Sequence, residues 1–202
     1  MHRPGRFAAF GGSKMTIGFA MCGSFCTFSQ VFPVMERLAQ NHKIVPIFSP
    51  AVCTINSRFG TAAGHMQRAT DICGVSPLHG IQEVEPIGPK KLLDALIIAP
   101  CTGNTLSKLA HSVADTAVTM AAKSHLRNGR PVIVAISTND ALAGAAENIG
   151  RLLVRKHYYF VPFGQDDALN KPTSLVADFE KIPETLACAL EGKQIQPLLL
   201  GK

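Results

Sequence analysis

Four short apolar runs in this chain end in small, hydroxylated or amide-bearing residues, a chemistry suited to holding a polar or anionic ligand. Thr16–Ala20 (TIGFA) leads into Gly23-Ser24, and Ile44–Phe48 (IVPIF) leads into Ser49-Pro50. Ala95–Ala99 (ALIIA) leads into Pro100-Cys101-Thr102-Gly103-Asn104-Thr105, and Val132–Ile136 (VIVAI) into Ser137-Thr138-Asn139-Asp140. A Gly-Ser pair at a strand-to-helix turn lets backbone N–H groups and a hydroxyl approach a ligand. Thr102 to Thr105 form the strongest of these segments, because they open a helical pattern with no acidic residue. Free N–H groups at a helix start attract negative charge.

Two familiar devices are excluded. Gly18 and Gly23 have the spacing of P-loop glycines, but Ser24-Phe25 stands where Lys-Ser/Thr is required. No G-x-G-x-x-G follows the first run, so a standard dinucleotide fingerprint is absent. The six cysteines contain no C-x-x-C, and no histidine pairs with them at zinc-ligand spacing, so we expect free thiols and no metal site. Cys101 fits two readings: a thiolate activated at a helix start, or a small packing residue. Packing is preferred.

These segments require elements to position them. Helical periodicity is predicted over Ser29–Asn41, Asn104–Ala110, Asp115–His125, Ala141–Lys156 and Pro172–Leu190, with helical pieces around Ser57–Arg68 and a fifth strand at Tyr158–Val161. Near-continuous apolar strands alternating with helices predict an α/β fold. The expected form is a three-layer, doubly wound, Rossmann-like or flavodoxin-like parallel sheet with helices on both faces. In such folds ligands bind beyond the carboxyl ends of the strands, where the polar segments fall.

Charge and length narrow the classes. The 202 residues carry a formal charge of +6, but Arg3, Arg6 and Lys14 contribute half of it within an acid-free stretch, residues 1–14. That stretch is expected to be a disordered tail ahead of one domain over 15–202, with Met1 and Met15 both standing as candidate translation starts. No Trp and two Tyr leave few stacking platforms, which argues against nucleic-acid binding. No apolar stretch reaches membrane-span length and no secretory h-region is present, so a cytoplasmic protein is expected.

The run ALIIAPCTGNTLSKLA resembles the strand, Pro-Ala-Ser-Ala-Asn-Thr loop and helix of the homo-oligomeric flavin-containing cysteine decarboxylases, which are related in fold to flavin prenyltransferases. The resemblance implies FMN binding by Thr102, Gly103, Asn104 and Thr105, with Gly23, Ser24, Ser49, Pro100, Ser137, Thr138 and Asn139 completing the cofactor rim. Two departures stand out. The catalytic His segment of that group is replaced by Glu83-Val84-Glu85-Pro86-Ile87, and its Pro-x-Met-Asn segment by Ser137-Thr138-Asn139-Asp140.

From Met15 onward the chain is similar to the B subunits of dipicolinate synthases, notably in Gly23-Ser24 with Cys26-Thr27 and in the stretch YYFVPFGQDDALNKPTSLVADFEKIPETLACALEGKQIQPLLL. That resemblance implies oxidation of a dihydrodipicolinate-type precursor in the mother cell of a sporulating bacterium. It also implies a dehydrogenase-like A subunit carrying NAD(P) and a homo-oligomer, trimeric or dodecameric. A decarboxylase or prenyltransferase-like activity is the alternative. A dicarboxylate calls for cations, and Arg58 is the first choice, ahead of Arg68 and Lys123. His79, nearest the altered His segment, and Cys101 are the other catalytic candidates. Asp166, Asp167 and Lys171 read as a solvated turn or a subunit contact, and Tyr158 and Tyr159 as packing residues.

Overall fold

The computed structural model describes residues 14–201, so the expected tail lies, apart from Lys14, outside the described residues. The chain runs β1 (Thr16–Met21), α1 (Phe28–Ala39), β2 (Lys43–Phe48), α2 (Pro50–Thr54), α3 (Ala62–Cys73) and α4 (Ile81–Val84). It continues with β3 (Ala95–Cys101), α5 (Gly103–Ala110), α6 (Ala117–Leu126), β4 (Val132–Thr138) and α7 (Ala146–Leu153). The last elements are β5 (Tyr158–Phe160), β6 (Phe163–Gly164), β7 (Leu175–Ala177) and α8 (Ile182–Leu190).

Strands β2, β1, β3, β4 and β5 lie side by side in that order and all run parallel. Each is an apolar run because both faces are covered. Every residue of β3 is buried, and helices pack on both sides of the sheet. Leu96, Ile97 and Ile98 have no exposed surface, so truncating any one to Ala costs about 2–5 kcal/mol. Strand order reverses at β1, with β2 on one side and β3 on the other. In a doubly wound sheet that reversal opens a crevice at the carboxyl ends of β1 and β3.

Beyond the parallel strands the sheet becomes mixed. β5 follows β4 only along Val132–Val134; higher up, Ser137 and Thr138 pair antiparallel with β7, and β7 pairs antiparallel with β6. This corrects the helix expected over Pro172–Leu190. Leu175–Ala177 is strand, Asp178 then caps a 3-10 turn by accepting from the Glu180 N–H (3.1 Å), and only Ile182–Leu190 is α-helical. The helix expected over Ala141–Lys156 is likewise shorter, because residues 140–145 form turns. That expected near Asp115 starts at Ala117, where Thr116 and Thr119 form a reciprocal cap. The pieces expected around Ser57–Arg68 resolve into a tight Ser57–Gly60 turn and then α3.

Candidate functional site

The carboxyl ends of β1, β3 and β4 open onto one cleft of about 780 Å³. Gly23 and Ser24 line it after β1, Thr102, Gly103 and Asn104 after β3, and Ser137, Thr138 and Asn139 at the end of β4. These eight expected residues come together although they belong to three distant stretches of the chain. The Ser24 hydroxyl lies 2.7 Å from the Ser137 hydroxyl, which ties the first turn to the end of β4.

The start of α5 explains why Thr102-Gly103-Asn104 is suited to its place. Thr102 is the N-cap, and its hydroxyl accepts from the Thr105 N–H at 3.4 Å. The N–H groups of Gly103 and Asn104 remain among the first-turn donors without an intrahelical acceptor. A Cβ at Gly103 would stand 2.7 Å from Asp140 Oδ1 and 2.9 Å from Thr138 Oγ1, so any larger residue here must displace those side chains. The Thr138 hydroxyl in turn donates to the Asp140 carboxylate.

Three other expected rim residues sit behind the cleft. Thr105 is buried, with its hydroxyl donating to Cys22 Sγ at 3.3 Å. Pro100 is buried within β3, and its carbonyl accepts from the Cys22 N–H at 3.2 Å. Ser49 is the N-cap of α2, but its hydroxyl makes no capping bond and is buried without a partner. These residues shape the wall rather than line it.

The catalytic candidates fare differently. Cys101 is fully buried beside Cys22, and burial holds its thiol well above the ordinary range, which removes the thiolate reading and leaves packing. His79 is exposed and does not line the cleft. The His79 and Gly80 N–H groups donate to Glu83 Oε2 (2.9 and 2.6 Å) and hold that carboxyl below its usual range. Arg58 is exposed, its guanidinium 4.8 Å from the Phe59 ring centroid, and outside the cleft lining. Lys123 borders a separate basic hollow with Arg127, Arg155 and Lys156.

Several lining residues were not expected from the sequence. Ser57 and Phe59 arrive from the turn after α2, and Asp140 follows the expected Ser137–Asn139 segment. Asp166, Lys171 and Ser174 arrive from the segment before β7. Asp166 and Lys171 are therefore cleft residues, paired with each other at 3.1 Å. No local signal marks them, since only the antiparallel pairing of β7 with β4 carries that segment over the strand ends. Among the described residues no cluster of three or more His, Cys, Asp or Glu is placed to hold a metal ion. Among the same residues no helix is long and apolar enough to cross a membrane.

Residues 11–157 match the family model described as Flavoprotein. The chain is 44% identical over 185 residues to the B subunit of dipicolinate synthase from Bacillus subtilis (strain 168), covering 91% of this chain and 92% of the relative. The crystal structure of the dipicolinate synthase B subunit from Bacillus halodurans C superposes with a TM-score of 0.86 at 44% identity, over 94% of this chain and 98% of that one. Burkholderia xenovorans DmrB, solved in complex with FMN, shares the fold at a TM-score of 0.66 and 16% identity, over 88% and 96% of the two chains. The cleft thus lies in a chain that belongs to the Flavoprotein family and, within it, to the family of dipicolinate synthase B subunits.

Proposed function

We propose that this chain is the flavin-holding B subunit of an oxidoreductase that forms pyridine-2,6-dicarboxylate, and that FMN occupies the cleft at the strand ends. The observation that carries the reading is the convergence of three strand ends on one cleft of about 780 Å³, rich in hydroxyls, amides and free N–H groups. The residues fit the cofactor. The Asn104 and Asn139 amides in the lining match the alternating donors and acceptors of a flat ring system. Gly23, Ser24 and the Lys171 ammonium supply donors for a phosphate.

Aromatising a dihydropyridine dicarboxylate removes two electrons and two protons, and bound FMN supplies a two-electron acceptor. The chain's own residues orient that acceptor. The Ser24–Ser137 pair spans the cleft floor, and the α5 N-cap fixes Gly103 and Asn104. No histidine lies in the Glu83–Ile87 segment, where the resemblance puts that of the decarboxylases, and this counts against the alternative of decarboxylation.

The relatives' designation as a B subunit supports a partner, which we take to be a dehydrogenase-like A subunit carrying NAD(P). Residues 15–202 form the one flavoprotein domain in this reading, assembled as trimers or dodecamers in the mother-cell cytoplasm. The test is co-purification with the A subunit and assay of pyridine-2,6-dicarboxylate formed from the dihydro precursor. The pair is expected to outpace the A subunit alone; equal rates at matched concentration contradict a role for this chain.

A further inference from the structure

A second, smaller cavity of about 240 Å³ shares a wall with the cleft, since Phe25, Cys26 and Phe59 line both. Its remaining lining comes largely from α1 and α3, including Phe28, Phe32, His65 and Arg68. The two compartments carry opposite charge. The cleft holds Asp140, Asp166 and Lys171, a formal −1, and its one lysine is already paired with Asp166. The annex holds Arg68 and no carboxylate. Arg68 forms no ion pair among the described residues; its guanidinium rests 4.5 Å from the Phe32 ring centroid and keeps its donors free.

The annex also contains a buried polar group with no structural use. His65 is only 6% exposed, its ring is packed among Phe25, Phe28 and Phe32, and its Nε2 has no hydrogen-bond partner. The ring abuts Gly60, in the turn that also carries Phe59 to the cleft and Arg58 to the surface. A buried polar atom left unpaired costs free energy, which a polar ligand or a water would relieve.

We propose that this annex seats the planar aromatic dicarboxylate, with Arg68 as the cation that binds a carboxylate and Phe25 and Phe59 as the apolar residues that border both the ligand and the cofactor cleft. The inference rests on the proposed function and assigns its substrate a place. With FMN in the cleft a second dianion is kept out of it, and is drawn instead to the uncompensated Arg68 guanidinium, which offers a planar fork of donors to a carboxylate. Because Phe25, Cys26 and Phe59 line both cavities, a ring seated here lies next to the cofactor cleft, as loss of a hydride to a flavin and of a proton to water requires. It also reorders the cations, since Arg68 lines the annex and Arg58 lines neither the annex nor the cleft.

The test is calorimetric titration of pyridine-2,6-dicarboxylate into the FMN-loaded chain, with bound FMN read from visible absorbance in the same samples. Arg68→Gln removes the charge from an exposed position. Gly64→Leu fills the annex from α3, where an added Cβ meets only Thr61 Oγ1, at 3.1 Å. Each substitution is expected to weaken the dicarboxylate at least tenfold and to leave FMN content unchanged, and Arg58→Gln is expected to change its affinity less than threefold. Equal affinity in the wild type, Arg68→Gln and Gly64→Leu overturns the annex assignment while leaving the FMN reading intact, and so does failure of the FMN-loaded wild type to bind the dicarboxylate. A chain that takes up no FMN overturns both.

Discussion

The two ends of the same parallel strands handle their polar groups in opposite ways. At the amino end, polar groups tie the protein to itself. The Thr16 N–H donates to Asp94 Oδ2 (2.8 Å), Asp94 pairs with Arg130 (3.7 Å), and Arg130 donates to the Lys91 and Leu93 carbonyls. Fully buried His125 places its Nε2 3.1 Å from the Pro131 carbonyl, just before β4 begins. At the carboxyl end, hydroxyls and amides pair sparingly with one another, and the donors of the α5 N-terminus face the cleft. Burial alone therefore does not mark a functional polar group in this fold. What separates the two ends is that the carboxyl-end groups border a cavity, whereas at the amino end even the unpartnered His125 Nδ1 is sealed in the core.

The comparison breaks most strongly with acid at the amino end. Burial pushes His125 down from 6.5 to about 4. Below pH 6.5 the unfolded chain takes up a proton that the folded chain refuses, so stability falls as the pH drops and the loss is complete only below pH 4. The full window is worth about 3 kcal/mol. Urea midpoints at pH 7.5 and 4.5 should show this loss, and His125→Gln should flatten the dependence. An unchanged slope in that variant would assign the acid loss to another group.

At the other end, Gly103→Val drives a side chain into Asp140 and Thr138 and is expected to weaken FMN about 100-fold, close to 2.7 kcal/mol. Unfolding should shift by less than about 1 kcal/mol, because the displaced groups move into the cleft. Arg130→Ala reverses the pattern. It leaves the Leu93 and Lys91 carbonyls unserved and should cost about 1–3 kcal/mol in denaturant unfolding, with FMN affinity unchanged. The smallest effect belongs to Ser137→Ala, which removes one partner of the Ser24–Ser137 pair. A three- to tenfold loss of FMN affinity and a stability change within about 0.5 kcal/mol are expected, read by flavin titration and thermal melts.

Much of this contrast was legible in the residues. ALIIA and VIVAI are apolar enough to require a sheet covered on both faces, and Thr102-Gly103-Asn104 carries its helix-start chemistry in three adjacent positions. Leu175–Ala177 was not legible, because a three-residue strand shows too little alternation to stand out from the helix that follows. Missing β7 also hid Lys171 and Asp166, whose place in the cleft depends on a pairing between positions far apart in the chain. Ser49 and Thr105 had the right chemistry and the right side of the strand ends. Their side chains turn into the wall, a choice of direction that composition does not encode. His65 sat in a helical pattern with nothing local to distinguish it from a packed core histidine such as His125.

Whether the carboxyl-end cleft holds a flavin is decided by titrating FMN into the apo chain and following absorbance at about 450 nm. A yellow protein with one FMN bound per chain is expected, with that colour lost in Gly103→Val and retained in Arg130→Ala. A folded wild-type chain that stays colourless and cannot be reconstituted with FMN would contradict the assignment of the cleft.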